Sequence, residues 1–158
     1  MTAHTSPRTI ADDHSSNRRG LRPLPSSPSV ALLVLRLAVG AVFLAHGAQK
    51  VFVYGFVGTS GSFAQMGVPL ADIAGPLVGL LELLGGLALL VGVATRFAAL
   101  ALALDMLVAT FLVHLPFGIF AADGGYELPL ALIGGALALT IAGAGRISVD
   151  EAVTRQHS

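Results

Sequence analysis

Four apolar stretches of about bilayer length, at residues 30–53, 74–93, 97–115 and 128–144, occupy most of this 158-residue chain, and only short connections and two tails lie outside them. A run of roughly 20 apolar residues spans the ~30 Å hydrocarbon core as a helix. Within lipid every backbone N–H and C=O must find a partner in the chain itself, so only helices and closed barrels can cross. The stretches show none of the in-and-out alternation of barrel strands. The expected fold is therefore an all-α membrane protein, an up-down-up-down bundle of four transmembrane helices. The composition agrees: 54% hydrophobic residues, 11% charged and a mean hydropathy of +0.81 leave too little polar surface to cover a soluble domain. With no cysteine, the chain has no disulfide, thiolate cluster or thiol redox centre, so redox chemistry would need a bound cofactor. No metal-ligand cluster stands out.

Cationic residues alternate in number between the connections. Arg8, Arg18, Arg19 and Arg22 precede the first stretch, Arg96 divides the second from the third, and Arg146 and Arg155 follow the fourth. The other two connections hold Lys50 at a helix end, with Asp72, Asp123 and Glu127. The positive-inside bias then puts both termini in the cytoplasm of a multi-pass plasma (inner) membrane protein, with loops 54–73 and 116–127 outside. Clustered arginine on one face suits anionic lipid, not nucleic acid. Residues 1–28 read as a disordered cytoplasmic tail, 29–146 as the membrane domain and 147–158 as a cytoplasmic C-terminal tail. Arg36 within the first stretch argues against a cleaved export signal. In loop 54–73, Thr59 or Ser60 can cap a short interfacial helix carrying Phe63 and Met66, ended by Gly67 and Pro69.

Charges inside spans are costly and so carry the most information. At about 100° per residue, Arg36, Gly40, Phe43, Gly47 and Lys50 share one arc of the first helix, with His46 at its edge. Gly75, Gly79, Glu82 and Gly86 share a face of the second, which turns Glu82 towards the bundle. Counted at 1.5 Å per residue from the cytoplasmic ends, Arg36 and Asp105 come to similar depths, roughly 9 and 12 Å, and are expected to form a structural ion pair. Glu82, His46, His114 and Lys50 fall together in the outer half. Glu82 is the candidate proton-handling group; His46, Lys50, His114, Tyr126 and Glu127 are candidate ligand-binding residues, the last two folded over the bundle by Gly124-Gly125. Each charge also has a plain structural reading: Arg36 and Lys50 near helix ends can snorkel to the interfaces.

The ordered series Arg36, Gly40, Phe43, His46-Gly47 and Lys50; Met66-Gly67-Val68-Pro69; Glu82 with Gly85-Gly86; Gly92 and Thr95-Arg96; Met106; His114, Gly118 and Phe120; Gly124-Gly125-Tyr126-Glu127; and Gly143-Ala144-Gly145-Arg146 with Ser148 and Asp150 resembles the DoxX family of small bacterial four-helix membrane proteins. Asp105 and Leu128-Pro129 depart from that pattern. The resemblance implies respiratory or sulfur-linked electron transfer, a quinone as lipid-soluble partner and association with a soluble redox enzyme. The expected function is a quinone- or redox-partner-linked membrane subunit. Its alternatives are a non-catalytic anchor or assembly factor for a redox complex, and a small transporter or proton conductor.

Overall fold

A computed structural model describes residues 28–156 of the protein. The amino-terminal tail with Arg8, Arg18, Arg19 and Arg22 lies outside the described residues. All regular structure among the described residues is helical: α1 (Pro28–Ala48), α2 (Gly55–Gln65), α3 (Ala71–Val91), α4 (Thr95–Ala109), α5 (Glu127–Ala142) and α6 (Val149–Gln156). A π turn, Gln49–Val53, extends α1. A second, Thr110–His114, and a 3₁₀ turn, Leu115–Phe117, extend α4.

Three continuous helical segments, Pro28–Val53, Ala71–Val91 and Thr95–Phe117, have the length and hydropathy to cross a membrane, and the shorter Glu127–Ala142 is also apolar. Large side chains point outwards along them: Val34, Leu77, Leu84, Phe97, Leu104, Phe111 and Ile141 are all exposed. The interior holds glycine, alanine, a few large apolar residues and charge. Such an arrangement suits lipid outside and close helix contact inside.

Small residues set the packing. A Cβ at Gly40 would meet Gly86 and Leu89, one at Gly47 would strike Leu83 and Glu82, and one at Gly79 would meet Lys50. Partners on α3 fall in number as those on α1 rise, so the two helices run antiparallel in backbone contact. The most extensive packings are α1 on α3 and α4 on α5. Leu102 of α4 fills the space over Gly85, and a core of Val39, Phe43, Leu89, Ala99, Leu102, Met106, Leu132 and Leu139 joins α1, α3, α4 and α5. Pro129 costs α5 nothing, because it stands in the first turn, where backbone N–H groups have no helical partner.

The helix in loop 54–73 starts earlier than expected. Gly55, at φ +65°, turns the chain out of the π turn and α2 begins there. Thr59 and Ser60 are consequently interior and buried, not caps. Thr59 Oγ1 donates to the Lys50 carbonyl at 2.9 Å, and Ser60 sits against Gly75. The segment after residue 147 forms α6, tied to the bundle by Asp150, whose carboxylate accepts from Ala94 N at 2.7 Å and Thr95 N at 2.9 Å. These bonds hold Ala94 in the left-handed conformation, φ +46°, that starts α4.

Candidate functional site

A cavity of about 440 Å³ lies among α1, α2, α3, α4 and the start of α5. Its wall is mostly apolar, built by Phe43, Phe63, Met106, Leu112, Leu128 and Leu132 among others, and its polar side chains are His46, Lys50, Glu82, Asp105 and His114. That volume and that ratio are typical of sites for small amphipathic ligands.

Each polar group is there for a local reason. Gly47 brings the α1 backbone onto α3 beside Glu82, and Gly79, one turn before Glu82, leaves room for the Lys50 stem. Lys50 Nζ consequently lies 2.5 Å from Glu82 Oε2. The Glu82 side chain is only 3% exposed, so an unpaired carboxylate there would be costly. Lys50 itself stands in the first π turn, and its carbonyl accepts from Thr59 Oγ1 of α2. His114 ends the second π turn, and its Nδ1 is 2.8 Å from the Gly124 carbonyl oxygen. Two irregular turns thus deliver two of the five polar groups.

Asp105 comes from α4. Its neighbouring charges are Glu82 and Lys50, and its Oδ2 is buried without a hydrogen-bond partner. The expected ion pair with Arg36 is therefore corrected. Arg36, 1% exposed, donates from Nη1 to the Ala144 carbonyl and from Nη2 to the Ile147 carbonyl, each at 3.0 Å, and the carboxylate acting on it is that of Asp150. Position along α3 gives the reason. Leu102 is level with Gly85, which sets Asp105 near Glu82, whereas Arg36 is level with Gly92. Ten residues of helix separate Glu82 from Gly92, about 15 Å. Counting depth from each helix start failed because α1 begins beyond the α3–α4 turn, where Ser29 and Leu32 pack on Gly145.

Tyr126 and Glu127 also differ from expectation: neither lines the cavity. Glu127 Oε1 accepts from Ala121 N at 2.8 Å, and Tyr126 N donates to the Gly118 carbonyl at 3.0 Å, so both shape loop 118–126. It is Gly124 and Gly125 that reach the wall. His46 is on the wall but largely exposed. The sequence reading missed Asp105 as a cavity group and Asp150 as the partner of α4; the signals were a charge inside an apolar stretch for the first and a place in the family-like series for the second, and neither named a partner.

Comparison with known proteins follows the same lines. Residues 31–115 match the sequence model of the DoxX family. The chain is 34% identical over 139 residues to the uncharacterized membrane protein Rv3486 of Mycobacterium tuberculosis, covering 82% of this chain and 83% of that one. It is 36% identical over 127 residues to the inner membrane protein YqjF of Escherichia coli, covering 80% and 95%. A Bacillus subtilis protein named putative oxidoreductase CatD is 31% identical over 111 residues, covering 70% and 79%. No solved structure matches.

Proposed function

The chain belongs to the DoxX family, and on that premise we propose that it is a plasma-membrane subunit that binds a quinone-like amphipathic molecule in the central cavity and works with a soluble redox enzyme. The observation that carries this reading is the gathering of Glu82, Lys50, Asp105, His46 and His114 on the wall of one otherwise apolar cavity. A ligand whose redox change is coupled to protons needs proton-exchanging groups against an apolar slot. Glu82 is assigned the proton, with Lys50 holding its charge; His114 and His46 bind the head group. No residue here is a redox centre, so electrons pass between the ligand and the partner enzyme. The name of the Bacillus subtilis relative supports this direction.

In this reading the four apolar helices cross the membrane up, down, up and down, with both termini cytoplasmic and residues 29–146 as the membrane domain. The 16 residues of α5 cover only about 24 Å, so the fourth crossing is completed by the segment 143–146. The exposed Phe56 and Val57 on α2, with Phe52 just before it, support an outer-interface position for that helix in this reading. Reporter fusions after residues 28, 96 and 150 are expected to score cytoplasmic, and those near 60 and 122 external. An external score at residue 96 overturns the arrangement.

One observation favours a second reading. Lys50 and Glu82 already satisfy each other, as a register-fixing pair in a non-catalytic anchor or assembly factor would. Glu82→Gln separates the two. The amide keeps the shape and a hydrogen bond to Lys50 but cannot titrate. The chain is expected to stay folded and to lose about 100-fold or more of partner-linked quinone turnover in membranes, the usual scale for losing a proton-transfer group. Full turnover by Glu82→Gln, with only Glu82→Leu impaired, establishes the anchor reading instead.

A further inference from the structure

Five polar side chains line the cavity, and their internal hydrogen bonds leave an imbalance. Lys50 and Glu82 are committed to each other. The Gly124 carbonyl can only accept, so His114 Nδ1 must carry the hydrogen. In a neutral imidazole that leaves Nε2 as a bare acceptor. Asp105 Oδ2 is a second acceptor, buried and without a partner among the described residues. His46, exposed on the wall, brings one donor and one acceptor and leaves the excess of acceptors unchanged, and the apolar remainder, including Phe43, Met106, Leu112 and Leu132, has no side-chain donor.

A ligand whose head only accepts hydrogen bonds could still take an N–H from Lys50. It would nevertheless seal Asp105 into a dry, low-dielectric slot with its acceptor unmet, which costs more than the bond gained at an ammonium already committed to Glu82. A ligand carrying O–H or N–H groups meets the unmet acceptors directly. We infer that the cavity recognises its ligand through the ligand's own hydrogen-bond donors, with Asp105 and His114 as the accepting groups, so that a hydroxyl-bearing amphiphile is bound in preference to its carbonyl or ether counterpart. This rests on the ligand-binding reading above and sharpens it: the hydroxyl form of a redox pair is the form held. Asp105 then sets specificity, and Glu82 remains free for the proton.

Three probes with one tail isolate the donor: para-octylphenol, para-octylanisole, in which the hydroxyl is methylated, and para-octylbenzaldehyde, which only accepts. Thermal melts of the full chain in lipid nanodiscs, titrated with each, give apparent affinities. The phenol is expected to bind about tenfold more tightly than the other two, the upper end for one net hydrogen bond. Asp105→Asn, which can donate as well as accept, should bring the phenol and aldehyde within about threefold of each other. Asp105→Leu should shrink the phenol preference to the few-fold that His114 alone can give, and serves if the asparagine variant proves unstable. Equal binding of phenol and anisole by the unaltered protein overturns the inference and leaves the ligand-binding reading standing. An undiminished phenol preference in both variants overturns the role of Asp105. If no probe shifts the melt, both fall.

Discussion

Gly47→Val and Gly86→Val are expected to abolish the folded bundle, and Gly47→Ala and Gly86→Ala to cost it about 3 kcal/mol each, the upper end for overpacking. A Cβ at Gly47 would lie 2.6 Å from Leu83 Cα and 2.8 Å from the Glu82 carbonyl carbon; one at Gly86 would lie 2.8 Å from the Gly40 oxygen and 2.9 Å from Leu44 Cα. These neighbours are backbone, which cannot rotate aside as a side chain can, so the α1 and α3 axes must separate. Separation also carries Lys50 away from Glu82, so any Gly47→Ala protein that still folds should have lost cavity binding. Gly134 is the control, since a Cβ there meets nothing. Gly134→Ala should be neutral or add about 0.5 to 1 kcal/mol through helix propensity. Unfolding in mixed micelles of rising dodecyl sulfate, followed by circular dichroism, measures all five variants. Tolerance of alanine at 47 and 86 equal to that at 134 would contradict the backbone contact.

That contact was legible in the sequence because it depends on periodicity alone. The arc holding Arg36, Gly40, Phe43 and Gly47, and the face of Gly75, Gly79, Glu82 and Gly86, are the buried sides of α1 and α3. A charge or glycine stripe in an apolar helix has one reason to exist, which is another helix, so facing direction follows from 3.6 residues per turn. Longitudinal register is different. It depends on where each helix starts relative to its neighbours, and connections decide that. The π turns at Gln49–Val53 and Thr110–His114 have no sequence signature, yet they set where Lys50 and His114 point. The family resemblance supplied the set of residues but not their pairing. Glu82, Lys50, His46 and His114 came together on one cavity because they share a level in the bundle. Tyr126 and Glu127 did not join them, because the loop between α4 and α5 turns their backbone and carboxylate to its own closure.

Register is also what decides the fate of Arg36, and its replacement should produce the largest loss of any charge change in the chain. The guanidinium is buried, bonded to the carbonyls of Ala144 and Ile147, and close enough to Gly92 that a Cβ there would collide with it. Asp150 donates its own N–H to the Gly92 carbonyl at 2.9 Å while its carboxylate holds the start of α4. Arg36 therefore ties α1 to the α5–α6 connection at the one place where the α3–α4 turn and α6 also meet. Arg36→Met retains the apolar stem, leaves two carbonyls without their donor and removes the charge opposite Asp150; a loss of about 3 to 5 kcal/mol is expected, as for breaking a buried ionic network from one side. Double-mutant cycles locate the network. Arg36→Met with Asp150→Asn should show a coupling of roughly 0.5 to 3 kcal/mol, the range for residues in one polar network, whereas Arg36→Met with Asp105→Asn should be additive within about 0.5 kcal/mol, as for sites that share no partner. Coupling to Asp105 and none to Asp150 would return Arg36 to the cavity side of the bundle and shift α1 by nearly three helical turns against α3. Such a shift would also pull Lys50 off Glu82, so the same cycle that tests the arginine tests the floor of the site.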